Sequence, residues 1–184
     1  MEFINQLDHR LSSALNCFHT EWLDWFMLLV SHKYTFIPLY IFLVAVLIMR
    51  FKKQSWLVFV AIIIIISVTD QFTSGFMKPY FQRLRPCHDA TLSKNNILVG
   101  NCGGEFGMAS SHAANTIAIA CFLILLLARD KKWIWLLMPW AILVSYSRVY
   151  LGVHFLGDVL AGFLVGIFVQ FCAFWAIKHF KLVD

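Results

Sequence analysis

A histidine and an aspartate four residues apart, His154 and Asp158, open an apolar run directly after a Ser147-Arg148 pair, in the stretch SRVYLGVHFLGD. If that run is helical from about Phe155 or just before, the spacing places both side chains on one face, one turn apart. The carboxylate can then accept from one ring nitrogen and fix the tautomer, leaving the other nitrogen's lone pair for a substrate. This is the arrangement of a nucleophilic or basic histidine. The same residues also read as a helix-start histidine capped by a local acid, and the pair alone does not choose between the two.

Two further polar clusters bear on the choice. Lys78 is separated by six residues from Arg85-Pro86, and Ala109-Ser110-Ser111-His112 stands at the start of another apolar run. A helix start offers unsatisfied backbone N–H groups and a dipole that favours an anion. Lysine, the arginines Arg85 and Arg148, helix-start amides and a serine hydroxyl together suit a tetrahedral phosphate dianion, because guanidinium forks form paired, charge-assisted bonds to its oxygens. His112 and His154 are left for chemistry.

The elements that must hold these clusters are membrane helices. Of the 184 residues 60% are hydrophobic and 14% charged, against about 45–50% and about 25% for a soluble domain. Apolar runs at Phe36–Met49, Ser55–Met77, Ser111–Leu127, Trp133–Tyr146 and Phe155–Ile177 predict five spans, with a short tryptophan-rich one at Trp22–Val30. The expected fold is an all-α polytopic transmembrane helix bundle of about six helices in a single domain over 1–184. Residues 4 to 16, with Ile4, Leu7, Leu11 and Leu15 at helical spacing, predict an interfacial amphipathic helix within 1–20. Met1-Glu2-Phe3 lacks the basic n-region of a removable signal peptide. The basic knots at 50–53 and 129–132 and the tail with Lys178 and Lys181 read as cytoplasmic. Chain parity then puts the loop 78–110 and the turn 147–154 together on the outer face. The net charge of +5 is explained by these orientation signals, so no nucleic-acid partner is expected. Asp70, inside an apolar run, is costly unless paired, so it is expected to face the bundle interior with an arginine as a candidate partner.

The three clusters, in this order and on one face, resemble the signature of the type 2 phosphatidic acid phosphatases, the membrane branch of the lipid phosphatase and vanadium haloperoxidase superfamily. The resemblance spans about residues 55 to 175. It implies that Lys78, Arg85, Ser110, Ser111 and Arg148 bind phosphate, that His154 attacks phosphorus with Asp158 orienting it, and that His112 protonates the leaving oxygen. The family usually has proline at 109 and glycine at 111; Ala109 and Ser111 depart from it, and glycine there would allow positive φ that serine takes reluctantly. No cofactor and no metal are expected, since no multi-acid cluster or Cys/His quartet is present. The substrate implied is a membrane lipid phosphate or diphosphate at the outer face of a bacterial inner membrane. Undecaprenyl diphosphate is placed first on family prevalence, with lipid A phosphate and phosphatidylglycerol phosphate as alternatives. Cys87 and Cys102, both in the outer loop, could form a disulfide in an oxidising compartment. A small ion or proton transporter using Asp70 is the competing class, but it should spread ionisable groups through the membrane depth rather than gather them at one face.

Overall fold

The computed structural model describes residues 2–89 and 96–180; Lys181, read above as a tail charge, lies outside them. Among the described residues the regular structure is helical, apart from one isolated antiparallel bridge between Leu84 and Phe106. The helices are α1 (Glu2–Leu15), α2 (Glu21–Ser31), α3 (Ile37–Phe51), α4 (Ser55–Asp70), α5 (Lys78–Phe81), α6 (Ser111–Leu127), α7 (Leu137–Tyr150) and α8 (Leu156–His179).

Helix α2 starts where the Thr20 hydroxyl accepts the Leu23 N–H at 3.3 Å, and Pro38 occupies the first turn of α3, where its missing N–H costs nothing. At Lys52 φ is 48°, and the chain reverses. As a result α3 and α4 run back along each other and line a shared groove through Leu43, Leu47, Phe59 and Ile62. Beyond α4 the helix widens into a π turn over Gln71–Met77 before tightening again as α5. The Thr69 and Thr73 hydroxyls donate back to the carbonyls of Ile65 and Thr69 at 2.8 and 2.7 Å. Such back-bonding competes with the helix ladder, and π turns of this kind are frequent at functional sites. The span expected to end at Met77 therefore continues to Phe81, and Lys78 is held on a helix rather than in the loop.

Helix α6 is the centre of the bundle, with Ala113, Ala114, Ala118, Ala120, Phe122 and Leu127 fully enclosed. It packs closely on α8 because Gly162 and Gly166, four apart, remove side chains from the crossing. A Cβ at Gly162 would stand 2.6 Å from the Ser110 carbonyl oxygen, closer than any real contact, and this small-residue spacing is a usual route to close helix approach in lipid. The main apolar core collects residues of α3, α4, α6, α7 and α8. The outside is equally apolar: Ile63 is 62%, Leu164 72% and Phe168 69% exposed. Large aliphatic and aromatic residues facing outward over several helices are what a lipid-facing surface needs. Trp22, Trp25, Trp56 and Trp135 are also well exposed, as belt anchors are. By length and composition Ile37–Phe81, with its reversal at Lys52, and Leu156–His179 can cross a bilayer.

Two ends of the bundle are defined by polar contacts. Arg50 on α3 pairs with Asp130 at 2.8 Å, joining the two basic knots at one end. The other end carries Lys78, Arg85, His112, Arg148 and His154 around one cavity.

Candidate active site

The turn that carries His154 is built by the ends of two helices. α7 runs on to Tyr150, so Ser147 and Arg148 lie inside its last turn rather than in the turn at 147–154. Ser147 is spent on the helix, its hydroxyl donating to the Val144 carbonyl at 2.7 Å. Gly152, at φ 72°, lets the chain reverse between α7 and α8. His154 sits in that turn, one residue before Phe155 caps α8, and does not share a helical face with Asp158. The pair meets nonetheless, because Asp158 is the third residue of α8 and its side chain reaches back. Its Oδ2 accepts the Phe155 N–H at 3.0 Å and lies 3.3 Å from His154 Nδ1. The two readings open at the sequence level, a capping acid and an orienting acid, are both satisfied by one carboxylate oxygen.

With Nδ1 toward Asp158, the His154 Nε2 faces the cavity, 3.5 Å from the Arg85 Nη1. Arg85 is immobilised by backbone: Nε donates to the Phe106 carbonyl at 3.2 Å and Nη1 to the Cys102 carbonyl at 3.1 Å. Those carbonyls are held in turn, since the Arg85 N–H donates to Glu105 at 3.1 Å and the Gly107 N–H to Arg83 at 2.8 Å. Cys87 and Cys102 are joined by a disulfide, with their Cα atoms 6.1 Å apart. It pins the loop segment carrying Arg85 to the segment that receives its guanidinium. Burial pushes the His154 imidazole down to about 4, with Asp158 opposing and the Arg85 and Arg148 charges adding to the fall. The imidazole is therefore neutral and carries a free lone pair at neutral pH.

The cavity, about 550 Å³, is lined by Lys78, Arg85, Ser111, His112, Arg148 and His154, together with Asp70, Ser74 and the α2–α3 residues Ser31, His32 and Lys33. Arg148 is fixed by a hydrogen bond to the Ser31 hydroxyl, and its buried Nε has no partner among the described residues. A buried guanidinium N–H left open beside other cations is a donor ready for an anion. Ser110 and Asp158 stand behind the cavity wall. Ser110 caps α6, its N–H donates to the Asp158 carbonyl at 2.9 Å, and its enclosed hydroxyl has no partner among the described residues.

Ser111 resolves the question raised by its departure from glycine. It is the first residue of α6, and among the described residues the non-glycine positions with positive φ are Lys52 and Gln82, so no left-handed backbone is demanded of it. Its hydroxyl oxygen lies 2.9 Å from Thr73 Oγ1, 2.8 Å from Ser74 Oγ and 3.3 Å from Lys78 Nζ. The side chain tethers α6 to the π turn and helps to aim Lys78. Asp70 differs from expectation as well: it is exposed on its helix, lines the cavity mouth and lies within electrostatic range of Lys78 rather than against an arginine.

Arg83 lies outside the set of site residues expected from sequence. Its Nη1 donates to Asp158 Oδ1 at 2.9 Å and its Nη2 to Asp8 Oδ2 at 2.6 Å. Asp8 belongs to α1, which therefore does more than lie on an interface. Nothing in the spacing of residues 75 positions apart signals such contacts.

A second, apolar groove of about 420 Å³ adjoins the cavity, sharing Tyr40, Ile66, Asn115 and Thr116 with it and running down between α3, α4 and α6 past Leu43, Phe59 and Ile119.

Comparison with known proteins agrees with this geometry. The family profile described as the PAP2 superfamily matches residues 56–181. A lipid A 4'-phosphatase of Bacteroides thetaiotaomicron is 34% identical over 183 residues, covering 97% of this chain and 80% of that protein. A lipid A 4'-phosphatase of Porphyromonas gingivalis is 33% identical over 171 residues, covering 92% and 72%. The crystal structure of a transmembrane PAP2-type phosphatidylglycerolphosphate phosphatase from Bacillus subtilis superposes with a TM-score of 0.72 at 25% identity, over 98% of this chain and 87% of that one.

Proposed function

This chain belongs to the PAP2 superfamily and is a phosphatase of lipid phosphates, and we propose that it removes the 4'-phosphate of lipid A. The observation that carries the mechanism is the placement of the His154 imidazole, backed by Asp158 and opening into a cavity with Lys78, Arg85 and Arg148. Undecaprenyl diphosphate, placed first on sequence, gives way to lipid A because two relatives that match over more than nine-tenths of this chain, at 34% and 33% identity, are lipid A 4'-phosphatases.

In the proposed reaction the three cations bind the phosphate oxygens, and Arg148 Nε, otherwise unpartnered, gains an acceptor. His154 Nε2 attacks phosphorus in line, forming a P–N bond as the P–O bond to the lipid breaks. His112, lining the same cavity, gives its proton to the departing oxygen. Water then attacks phosphorus, yielding its proton to the neutral His112, and the P–N bond breaks to release inorganic phosphate and regenerate the neutral His154. Cationic clamps on the developing charge supply the largest part of such rate enhancements, with about a hundred- to ten-thousand-fold from a positioned acid. No step calls for a metal. The apolar groove that adjoins the cavity supports a substrate whose acyl chains stay in lipid while its phosphate reaches His154. The proposed placement is a six-helix bundle in a bacterial inner membrane, one domain over 1–184, with the basic knots in the cytoplasm and the cavity facing outward.

The test is purified protein in detergent offered lipid A, undecaprenyl diphosphate and phosphatidylglycerol phosphate, with and without chelator and vanadate. The expected result is phosphate release that is fastest from lipid A, insensitive to chelator, stopped by vanadate and absent in His154→Ala. Faster release from undecaprenyl diphosphate would overturn the substrate assignment, and turnover by His154→Ala the nucleophile.

A further inference from the structure

The helix read from sequence as interfacial has two working faces. Its apolar face is exposed, with Phe3 at 76% and Ile4 at 69%, as a bilayer-surface helix requires. Its polar face is docked on the catalytic turn. The first N–H groups of a helix have no partner within it, and α8 obtains partners from α1: the Leu156 N–H donates to Ser12 Oγ and the Gly157 N–H to Asp8 Oδ1, both at 2.8 Å. Ser12 is enclosed, and Asn16, one turn further on, donates to the Tyr150 carbonyl at 2.6 Å at the end of α7. Gly157 has no room for a side chain, since a Cβ there would meet Asp8 Oδ2 at 2.6 Å.

Asp158 is fully enclosed and has both oxygens committed, Oδ2 to His154 and the Phe155 N–H, Oδ1 to Arg83. Arg83 is itself set by three contacts: Asp158, Asp8, and the Phe155 ring, over which its guanidinium lies at 4.3 Å. His9 of α1 stacks on the same ring, centroids 4.7 Å apart. A carboxylate whose second oxygen is fixed by a guanidinium cannot rotate away from the imidazole, and a guanidinium gripped by two carboxylates cannot draw one of them off line.

We propose that α1 is a working part of the active site, in which Asp8, acting through Arg83, is a positioning residue for Asp158 and hence for His154. The chain Asp8, Arg83, Asp158, His154 alternates acid and base from the membrane-surface helix to the cavity. The polar face of α1 thus supplies part of the set of contacts that orient the nucleophile. This rests on His154 being the nucleophile.

Charge makes the role separable from mere packing. The groups that face His154 are Asp158, Arg85, Arg148, Lys78 and His112, and Arg83 reaches it only through Asp158. Removing Arg83 leaves the full Asp158 charge on the imidazole and moves the acid limb of kcat/KM up in pH. Removing the Asp8 charge leaves Arg83 to Asp158 alone and moves that limb down. A packing defect would not give opposite signs.

The experiment compares Asp8→Asn, Asp8→Glu, Arg83→Met and His154→Ala, each purified in detergent, using the lipid phosphate that the panel above shows to be turned over fastest. Expected are a tenfold or larger fall in kcat with KM within twofold for Asp8→Asn and Arg83→Met, acid limbs displaced in opposite directions, and partial recovery in Asp8→Glu. Wild-type kcat in Asp8→Asn, limbs that stay put or move together, or losses that only follow the folded fraction measured by thermal unfolding would overturn the inference while His154→Ala stays inactive. Turnover by His154→Ala would instead remove the reading on which it rests.

Discussion

Replacing Ser111 by alanine tests whether the departure from the family's glycine has a use here. The hydroxyl contacts Thr73, Ser74 and Lys78 at 2.9, 2.8 and 3.3 Å, so truncation removes three part-buried hydrogen bonds. All three partners retain another: Thr73 keeps the Thr69 carbonyl at 2.7 Å, and Lys78 and Ser74 keep each other at 3.2 Å. At about 0.5–1.5 kcal/mol net per bond, the cost is about 1–2 kcal/mol rather than the full sum. That lowers Tm by about 2–8 °C for a chain of this size. Activity should fall further than stability implies, because Lys78 loses one of two hydroxyl tethers; we expect kcat/KM to drop about three- to tenfold, or about 0.7–1.4 kcal/mol in transition-state stabilisation. The assay is phosphate release by Ser111→Ala, Lys78→Met and the double variant, with thermal unfolding of each. If Ser111 works through Lys78, adding Ser111→Ala to Lys78→Met costs less than a further factor of two. Equal losses in both backgrounds, or wild-type activity and Tm in the single variant, would refute the reasoning.

His154 has its imidazole pushed down to about 4 by burial, below its unfolded value near 6.5, so the folded state binds the fewer protons. Its lone pair is thus present throughout neutral pH, and its contribution to stability is lost as pH falls from about 6.5 toward about 4; histidine-labelled NMR finding it protonated at pH 6 would contradict this. Cutting the Cys87–Cys102 bridge by Cys87→Ser/Cys102→Ser should lower stability by about 3 kcal/mol for a loop of this length and raise KM by loosening Arg85. A thiol count on untreated membranes with both cysteines free would remove that prediction. Gly166→Leu, placed where a Cβ already meets the Ala114 carbonyl, should abolish the folded protein in a detergent melt, whereas Leu164→Ala, 72% exposed, should melt within about 2 °C of wild type, as exposed substitutions do.

Much of this protein is legible without coordinates because its physics is local or periodic. The apolar runs set the helices, since a backbone in hydrocarbon must bond to itself, and the charged knots set their ends. The four-residue step between His154 and Asp158 keeps the pair within reach of each other, and the start of α8 at Leu156 lets the Asp158 side chain reach back to the imidazole. The tertiary structure decided what depends on side-chain direction and distant partners. It turned Ser111 toward the π turn of α4, left Asp70 at the cavity mouth, and wound Ser147 into α7, where its hydroxyl bonds its own helix. It brought Asp8 of α1 to Arg83 and α8, contacts 75 and 149 residues apart in sequence. An amphipathic pattern records which face of α1 is apolar, but the partner of its polar face is chosen by packing, and no spacing in one chain encodes that choice.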